Sequence, residues 1–237
     1  MVEKLRSILR QIHWSSVLKA SIAAIAWFYF PFWLFLIVAL VAYFSPAAQA
    51  RKTLAPFLTL IILAFLEPQG IAFAFIFGAV LFYILLIKNL LLIDRKSAYE
   101  TLVLLLAFLF LRAFYLKFGG GVGGSSLFYG FFAACVLAFL FSNFTEALED
   151  QSGTSPALIR PVRWLMFLVS WQFIIVGLFL PLDFIYQAVI VFLSLVFLVD
   201  LAPQYLFGDF SRNKMLVTGS AVFTIMVIVL GSARWGL

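Results

Sequence analysis

Long apolar segments follow one another along this chain, and only short polar stretches separate them. A helix that crosses the hydrocarbon core of a bilayer, about 30 Å thick, needs about 17–25 mostly apolar residues. Segments close to that length recur from one end to the other, which leaves little chain for a water-soluble domain. They cover residues 15–30, 32–48, 51–66, 71–87, 98–116, 126–144, 163–180, 184–200 and 215–231.

The composition of the chain agrees with this pattern. Of its 237 residues 65% are hydrophobic and only 11% are charged, whereas a soluble domain is about 45–50% apolar and about 25% charged. A globule of this size still needs a polar surface, so this much apolar side chain cannot all be buried in a soluble core. The sequence therefore predicts an all-α, polytopic transmembrane helix bundle with about nine spans, or eight in one alternative.

That alternative concerns the apolar run 21–44, which either crosses the membrane once or turns back at Pro31. Cytoplasmic loops of membrane proteins are enriched in Lys and Arg. A turn at Pro31, with the N-terminus inside, assigns thirteen of the sixteen Lys and Arg residues to the cytoplasmic side, whereas a single crossing sets four of them against the other nine. The charge distribution therefore favours the turn. The thirteen are Lys4, Arg6, Arg10, Lys19, Arg51, Lys52, Lys88, Arg95, Lys96, Arg160, Arg163, Arg212 and Lys214.

Aromatic residues favour the same turn. Trp27, Tyr29 and Trp33 surround Pro31 in the middle of the run. Trp and Tyr prefer the membrane interface to the hydrocarbon midplane, so a turn at Pro31 lets all three reach the outer interface. A turn at Pro31 leaves short spans. Segments 15–30 and 51–66 reach spanning length only if they include Lys19 and Lys52, whose charged ends would have to extend to the interface.

Proline also centres two other short connections, at residues 67–70 and 181–183. Proline ends a helix and favours a tight turn. The connections on the opposite side are longer and basic, and the one at residues 145–161 is acidic before it becomes basic. The sequence thus predicts four outward-pointing helical hairpins followed by one final span.

The first thirteen residues are a different kind of element. Leu5, Ile8, Leu9 and Ile12 recur at helical spacing, and basic or polar residues fill the rest of the helical wheel. This pattern predicts an amphipathic helix over residues 1–13 that lies on the cytoplasmic surface, with a solvated basic tail as the alternative. Residues 14–237 are then expected to form a single transmembrane domain.

The counts of charged and reactive residues restrict the function. The net charge of +6 is interpreted as orientation against an anionic leaflet of the plasma or inner membrane, and not as a nucleic-acid interface. His13 is the single histidine and Cys135 the single cysteine. Sites that need two histidines, a thiolate cluster or a histidine-activated nucleophile inside a span are therefore excluded. No catalytic residue, metal site or cofactor is predicted.

A stripe of small residues marks segment 126–144. Lipid supplies no hydrophobic drive for helix association in a membrane, so small residues that let two backbones approach are the usual contact. We expect this helix to pack closely against a neighbouring helix, a second copy of the chain or another membrane protein. The stripe repeats every four residues and consists of Ser126, Gly130, Ala134, Ala138 and Ser142.

Three ionisable residues are candidates for a polar cluster near the outer surface. Arg112 lies five residues before Lys117, about 7.5 Å below it along a helix. Glu67 and Asp183 lie at the outer ends of other hairpins, at comparable depth. Arg112 either extends to the interface, forms a structural ion pair with one of the carboxylates, or belongs to a substrate site.

Polar side chains elsewhere in the spans are few. Gln172 and Gln187 lie on two helices joined by the Pro181 turn, and we expect them to hydrogen-bond across that hairpin. A hydrophilic ion pathway usually needs several charged groups at mid-depth, and the sequence does not supply them.

Two functions of different class remain. The first is a non-enzymatic membrane protein, either a transporter-like bundle for a hydrophobic or amphiphilic cargo or a packing subunit of a larger complex, with membrane lipids as its surroundings. The alternative is a lipid- or polyprenyl-handling enzyme whose shallow outer site contains Glu67, Arg112 and Asp183. In that alternative, arginine would hold a phosphate and a carboxylate would act as base.

Overall fold

The computed structural model describes six stretches of the chain, and nearly all of their residues are helical. Helices hold 92% of the described residues and none of these is in a strand, so the predicted all-α class is confirmed for this part of the chain. The stretches are residues 14–45, 53–88, 95–119, 124–152, 156–206 and 211–233. The nine helices within them are α1 (Trp14–Tyr29), α2 (Phe32–Phe44), α3 (Leu54–Leu66), α4 (Ile71–Lys88), α5 (Arg95–Phe118), α6 (Gly124–Ser152), α7 (Pro156–Phe179), α8 (Phe184–Leu206) and α9 (Arg212–Ser232).

Contacts divide the chain into two compact units, Met1–Leu102 and Val103–Leu237. The organisation of residues 14–237 as one domain stays a prediction. The surface helix predicted for residues 1–13 lies outside the described residues.

The helices α1 and α2 form an antiparallel hairpin. The first ends at Tyr29, the second begins at Phe32, and Pro31 lies between them. The Lys19 ammonium group, near the start of α1, donates a hydrogen bond to the carbonyl oxygen of Ser45, just after the end of α2. The chain therefore reverses at Pro31, as the aromatic and charge patterns predict. That each of the two helices crosses a bilayer stays a prediction.

Small residues let α1 approach α4 closely. A Cβ atom built on Gly78 would lie 3.1 Å from the Cβ of Ala24 and 3.8 Å from the carbonyl oxygen of Ala20. Small residues at a helix interface allow this kind of backbone approach in membrane proteins. Ala23, on the same helix, is completely buried. The alanines of α1 are thus a packing surface that the sequence analysis did not single out.

Two hydrogen bonds connect the end of α1 to α3 and to the turn between α3 and α4. The Trp27 indole donates a hydrogen bond of 3.1 Å to the carbonyl oxygen of Ala64 in α3. The Gln69 amide, in the turn between α3 and α4, donates one of 3.3 Å to the carbonyl oxygen of Trp27. The first bond satisfies the indole N–H of a buried tryptophan, and the second holds the backbone of α1 against the α3–α4 turn.

In the second unit each helix packs against the next along the chain, from α6 to α9. Tyr186, near the start of α8, donates a hydrogen bond of 3.3 Å to the carbonyl oxygen of Ser232 at the end of α9, so these two helices are antiparallel. The second half of α5 packs through aromatic rings, of which Phe118 stacks on Tyr129 of α6 at 4.3 Å between centroids. No described residue of α9 is buried.

The connection predicted at residues 145–161 is largely helical. The helix α6 continues to Ser152 and α7 begins at Pro156, so most of the residues assigned to this connection are helical, and its acidic first part is the end of a helix, as the helical spacing of its acidic residues indicates. Proline is favourable at the first position of a helix because its missing N–H has no helical partner there.

Within the described residues, five helical stretches are long and apolar enough to cross a membrane. They are Ile71–Lys88, Ser97–Phe118, Pro161–Phe179, Phe184–Leu201 and Arg212–Ser232. Shorter apolar helical stretches occur at Phe32–Phe44, Leu54–Leu66 and Ser125–Phe141. The total of about nine spans therefore stays a prediction.

Candidate functional site: an aromatic groove between two helices

A groove of about 680 Å³ opens between α6 and α7. The rings of Phe131 and Phe167 meet edge-on at 5.7 Å between centroids, and those of Phe131 and Trp171 at 5.8 Å. These contacts set the register of the two antiparallel helices. The residues that line the groove are Phe131, Cys135, Ala138, Phe139, Arg163, Trp164 and Phe167.

The helical repeat explains why these residues share one surface. On α6 the lining residues are spaced by three or four positions, starting at Phe131, and residues at that spacing lie on one face of a helix. On α7 the lining residues Arg163 and Phe167 are four apart. The small side chains of Cys135 and Ala138 line the groove together with the larger aromatic rings.

The groove is apolar along its length and cationic at one end. Among the described residues that line it, Arg163 is the one with a charged side chain. Arg163 and Trp164 lie near the first residue of the candidate span Pro161–Phe179, and the Trp164 side chain is 67% exposed. Tryptophan and arginine at the end of a span are typical of the headgroup level of a bilayer. The arrangement can hold an acyl chain beside aromatic rings with its headgroup at a guanidinium.

The length of the groove matches one leaflet of a bilayer. From Phe131 to Phe139 the chain advances eight residues, about 12 Å at 1.5 Å per residue. Half of a hydrocarbon core is about 15 Å. The groove therefore has room for much of one acyl chain between the interface and the midplane.

The predicted small-residue stripe lies on the same helix. Ser126, Gly130 and Ala134 are buried, and Ala138 is half-buried in the groove. A Cβ atom built on Gly130 would lie 3.5 Å from the Cδ1 of Leu178 and 3.6 Å from the Cγ2 of Ile174, both on α7. The side chain of the fifth member, Ser142, lies outside the described residues. The role of the stripe as a unit of helix association stays a prediction.

The middle of α7 packs against α5 around one tyrosine. Tyr115 is almost fully buried, and its hydroxyl donates a hydrogen bond of 2.9 Å to the carbonyl oxygen of Ile174. A Cβ atom built on Gly177 would lie 2.3 Å from that hydroxyl oxygen and 2.8 Å from the Cγ2 of Val191. Glycine avoids a collision here, because any larger side chain would require Tyr115 or Val191 to shift.

The predicted hydrogen bond between Gln172 and Gln187 is wrong. Gln172 is exposed, whereas Gln187 is 1% exposed and its amide donates a hydrogen bond of 2.9 Å to the carbonyl oxygen of Leu180. The Oε1 atom of Gln187 accepts no hydrogen bond. The two side chains point to different surroundings, because Gln172 faces outward while Gln187 faces the end of α5 near Gly119.

The first unit contains a lysine that the sequence analysis counted only as an orienting charge. Lys88 is 2% exposed; its ammonium group donates a hydrogen bond to the carbonyl oxygen of Tyr43 and lies 4.8 Å from the centre of the Tyr43 ring. The same ring stacks on Phe57 at 4.0 Å, and its hydroxyl is 2.9 Å from the Oγ1 of Thr53.

Lys88 and Lys19 therefore bind carbonyl groups at the same end of α2. The helix C-terminus carries partial negative charge and carbonyl groups without helical partners, and cations near it are stabilising. This arrangement explains how a lysine can be buried at the end of an apolar helix. It is a structural tie, since the polar ends of both lysines already contact protein oxygens.

The predicted outer cluster draws on both units. Glu67 is buried at the end of α3 in the first unit, whereas Arg112 is half-buried within α5 and Asp183 is exposed before α8, both in the second. The carbonyl oxygen of Asp183 accepts the hydrogen bond of the Gln187 backbone N–H at 3.1 Å. The convergence of Glu67, Arg112 and Asp183 stays a prediction.

The groove was missed because each of its residues has an ordinary explanation in the sequence. Phenylalanine is abundant throughout the chain, and Arg163 was one of thirteen cations assigned to a side. One signal could have drawn attention to it: an Arg-Trp pair at the start of an apolar segment, beside a helix of small residues.

No protein-family model matches this chain, and it resembles neither a curated protein nor a solved structure to a significant degree. Its class is given by its own features. The chain is all-helical in the part that the structure describes, and its apolar helices indicate a membrane protein.

Proposed function

We propose that this protein is a multi-pass protein of the cell membrane that binds a lipid-like amphiphile in the groove between α6 and α7. In this proposal it acts without chemical conversion of that molecule, as a carrier or as a lipid-holding subunit of a membrane complex. The observation that carries the proposal is the groove itself: about 680 Å³ of space, lined by aromatic side chains, with Arg163 at one end.

The size and lining of the groove support this function. Ligand sites are usually concave, mostly apolar, and about 300–1,000 Å³ in volume, with a few polar groups that fix orientation. The described lining of the groove has these properties, and the guanidinium of Arg163 is the orienting group in this proposal. It is open along one side, so a molecule can enter from the surrounding lipid without a channel.

The proposed orientation places the N-terminus and the basic connections in the cytoplasm, with about nine spans. The reversal of the chain at Pro31 supports it, because this turn assigns thirteen of sixteen cations to one side. Arg163 belongs to that set, so the charged end of the groove would face the cytoplasmic leaflet.

Filling the groove tests the proposal. Cys135 is exposed and lines the groove, so Cys135→Trp would place an indole in the proposed site. Ile228→Trp on α9, where the native side chain is 64% exposed, is the matched control. We expect the protein purified in mild detergent to retain less lipid per chain after Cys135→Trp and an unchanged amount after Ile228→Trp, measured by native mass spectrometry. Equal retention in both variants would contradict the proposal.

A further inference from the structure

We propose that a second site, a polar cavity between the end of α8 and the start of α9, binds a zwitterion in which a primary ammonium group accompanies a phosphate, as in the headgroup of phosphatidylethanolamine. The cavity has a volume of about 330 Å³. This inference goes beyond the proposed function and does not depend on the groove between α6 and α7. The described residues that line the cavity are Asp200, Gln204, Asn213, Lys214, Val217 and Thr218.

The two antiparallel helices bring opposite charges to this cavity. Asp200 and Gln204 are four residues apart on α8, and Lys214 and Thr218 are four apart on α9, a spacing that places each pair on one helical face. Within the described part of the chain, the Asp200 carboxylate accepts a hydrogen bond of 3.2 Å from the Gln204 amide and forms no ion pair with Lys214. A ligand that carries both charges can therefore contact both side chains.

The α8 side of the cavity offers hydrogen-bond acceptors to a cation. Asp200 is half-buried, and an ionised carboxylate accepts up to about four hydrogen bonds, of which the Gln204 amide supplies one. The Oε1 atom of Gln204 is buried and accepts no hydrogen bond from any described residue. A buried acceptor without a partner is costly, and it indicates a donor that these residues do not supply. A primary ammonium group has N–H donors and a charge opposite to that of Asp200.

The α9 side of the cavity offers positive charge to a phosphate. Lys214 is exposed in the first turn of α9, and lysine is a usual phosphate-binding residue. The N-cap residue Ser211 makes no side-chain hydrogen bond to this turn, so its first backbone N–H groups have no helical partner. The positive end of the helix dipole adds to the attraction that Lys214 exerts on an anion.

The cavity lies at the level expected for lipid headgroups. Asp200 is the residue before the end of the candidate span Phe184–Leu201, and Lys214 is two residues after the start of the candidate span Arg212–Ser232. The ends of spanning helices meet the polar headgroup layer of a bilayer. The volume is near the lower limit of ligand sites, which is about 300 Å³, so the cavity suits a headgroup and not a whole lipid. Free phosphoethanolamine has the same chemistry, and the test separates the two sources.

A quaternary ammonium group fits this cavity less well than a primary one. It has no N–H to donate to Asp200 or Gln204, and proteins recognise it through aromatic rings. The described lining of the cavity contains no aromatic residue. We therefore expect a preference for phosphatidylethanolamine over phosphatidylcholine, which carries the same phosphate.

Photo-crosslinking of the full chain in lipid nanodiscs tests this preference. The probes are phosphatidylethanolamine and phosphatidylcholine, each with a diazirine on one acyl chain close to the glycerol, and mass spectrometry maps the labelled peptides. We expect phosphatidylethanolamine to label the peptides around Asp200 and Lys214 about tenfold more than phosphatidylcholine, because only its headgroup donates hydrogen bonds to the carboxylate.

Substitutions assign the two ends of the ligand. Asp200→Asn removes the charge that recognises the ammonium group and should abolish the preference. Lys214→Gln removes a phosphate contact that both lipids make, so labelling by both should fall while their ratio is retained. Glu100→Gln is the matched control and should change neither, because Glu100 is a half-buried carboxylate of α5 that does not line the cavity.

Thermal unfolding in detergent with millimolar phosphoethanolamine is the second arm of the test. A ligand that binds only the folded protein raises its unfolding temperature, and Asp200→Asn should abolish that rise if the free zwitterion is the ligand. A lipid preference that depends on Asp200 identifies the lipid as the source, and a rise in unfolding temperature alone identifies the free molecule. The proposal is overturned if neither the lipid preference nor the rise in unfolding temperature depends on Asp200.

Discussion

Among single residues, Tyr43 contacts three side chains from other parts of the first unit, and its place in the sequence does not indicate these contacts. Its carbonyl oxygen accepts a hydrogen bond from Lys88, its ring lies beneath the same ammonium group and against Phe57, and its hydroxyl is within hydrogen-bond distance of Thr53. Aromatic stacking and cation–π contacts both depend on the ring, whereas the Thr53 bond depends only on the hydroxyl. Substitutions can therefore separate the two contributions.

We expect Tyr43→Phe to lower the free energy of unfolding by about 0.6 kcal/mol, the usual contribution of one side-chain hydrogen bond in a helical membrane protein. Tyr43→Ala removes the ring as well and should cost about 3–5 kcal/mol, as for other large-to-small changes of buried aromatic residues. The measurement is unfolding in mixed micelles with increasing denaturing detergent. Tyr29→Ala, at a tyrosine that is 73% exposed, is the control and should change stability by less than about 0.5 kcal/mol. If Tyr43→Phe costs as much as Tyr43→Ala, the ring is not the main contact.

At the scale of helices, two glycines on neighbouring elements meet different surroundings. A Cβ atom at Gly130 of α6 would lie at 3.5–3.6 Å from side chains of α7, which is ordinary contact. A Cβ atom at Gly177 of α7 would lie 2.3 Å from the hydroxyl oxygen of Tyr115 in α5. The interface between α6 and α7 has room for a methyl group at Gly130, whereas at Gly177 the backbone of α7 is in direct contact with Tyr115 of α5. Helix spacing in this unit is therefore set by different residues on the two sides of α7.

We expect Gly177→Ala to destabilise the protein by about 1–3 kcal/mol, because the added methyl group overpacks the contact with Tyr115. Gly130→Ala is the matched control, since the same methyl group fits there and alanine also loses less backbone freedom on folding. Thermal unfolding in detergent, followed by circular dichroism, measures both. Combining Gly177→Ala with Tyr115→Phe should recover part of the loss, because it removes the nearest atom. Equal effects of the two alanine substitutions would show that the helices adjust without cost.

At the scale of the whole molecule, sidedness follows from how often the chain crosses the bilayer. The helices on either side of Pro31 are antiparallel, and the predicted topology places most basic residues at the connections opposite to the proline turns. With a cytoplasmic N-terminus and nine crossings, the C-terminus is outside. With eight crossings the C-terminus is inside, so the side on which the C-terminus lies distinguishes the topology of nine spans from that of eight.

We expect a C-terminal alkaline phosphatase fusion to be active and a C-terminal green fluorescent protein fusion to be dark in a bacterial host, because only an exported phosphatase folds and only a cytoplasmic green fluorescent protein matures. The same reporters after Ser45 should give the opposite pattern, since that residue lies at the basic side of the α1–α2 hairpin. A fluorescent C-terminal fusion would contradict nine crossings and would favour eight.

The apolar segments and the proline turns were enough to predict nearly every helix, because hydrogen-bonding every backbone group inside hydrocarbon requires helices and proline interrupts them. The same rules predict the hairpin at Pro31. They do not determine the residue at which α6 ends, because polar residues beyond a span suit a helix and a loop equally.

The amino-acid pattern is therefore sufficient to show that helices form and where proline separates them, whereas the contacts between side chains of different helices follow from the packed fold. Lys88 shows the difference: its charge predicts a membrane side, but its burial depends on Tyr43, forty-five residues earlier in the chain. The groove is a second example, since Phe131 and Arg163 line the same cavity only when α6 packs on α7. A helix is fixed by interactions between residues a few positions apart, whereas a site is fixed by the register between helices, and that register depends on packing contacts that no local pattern contains.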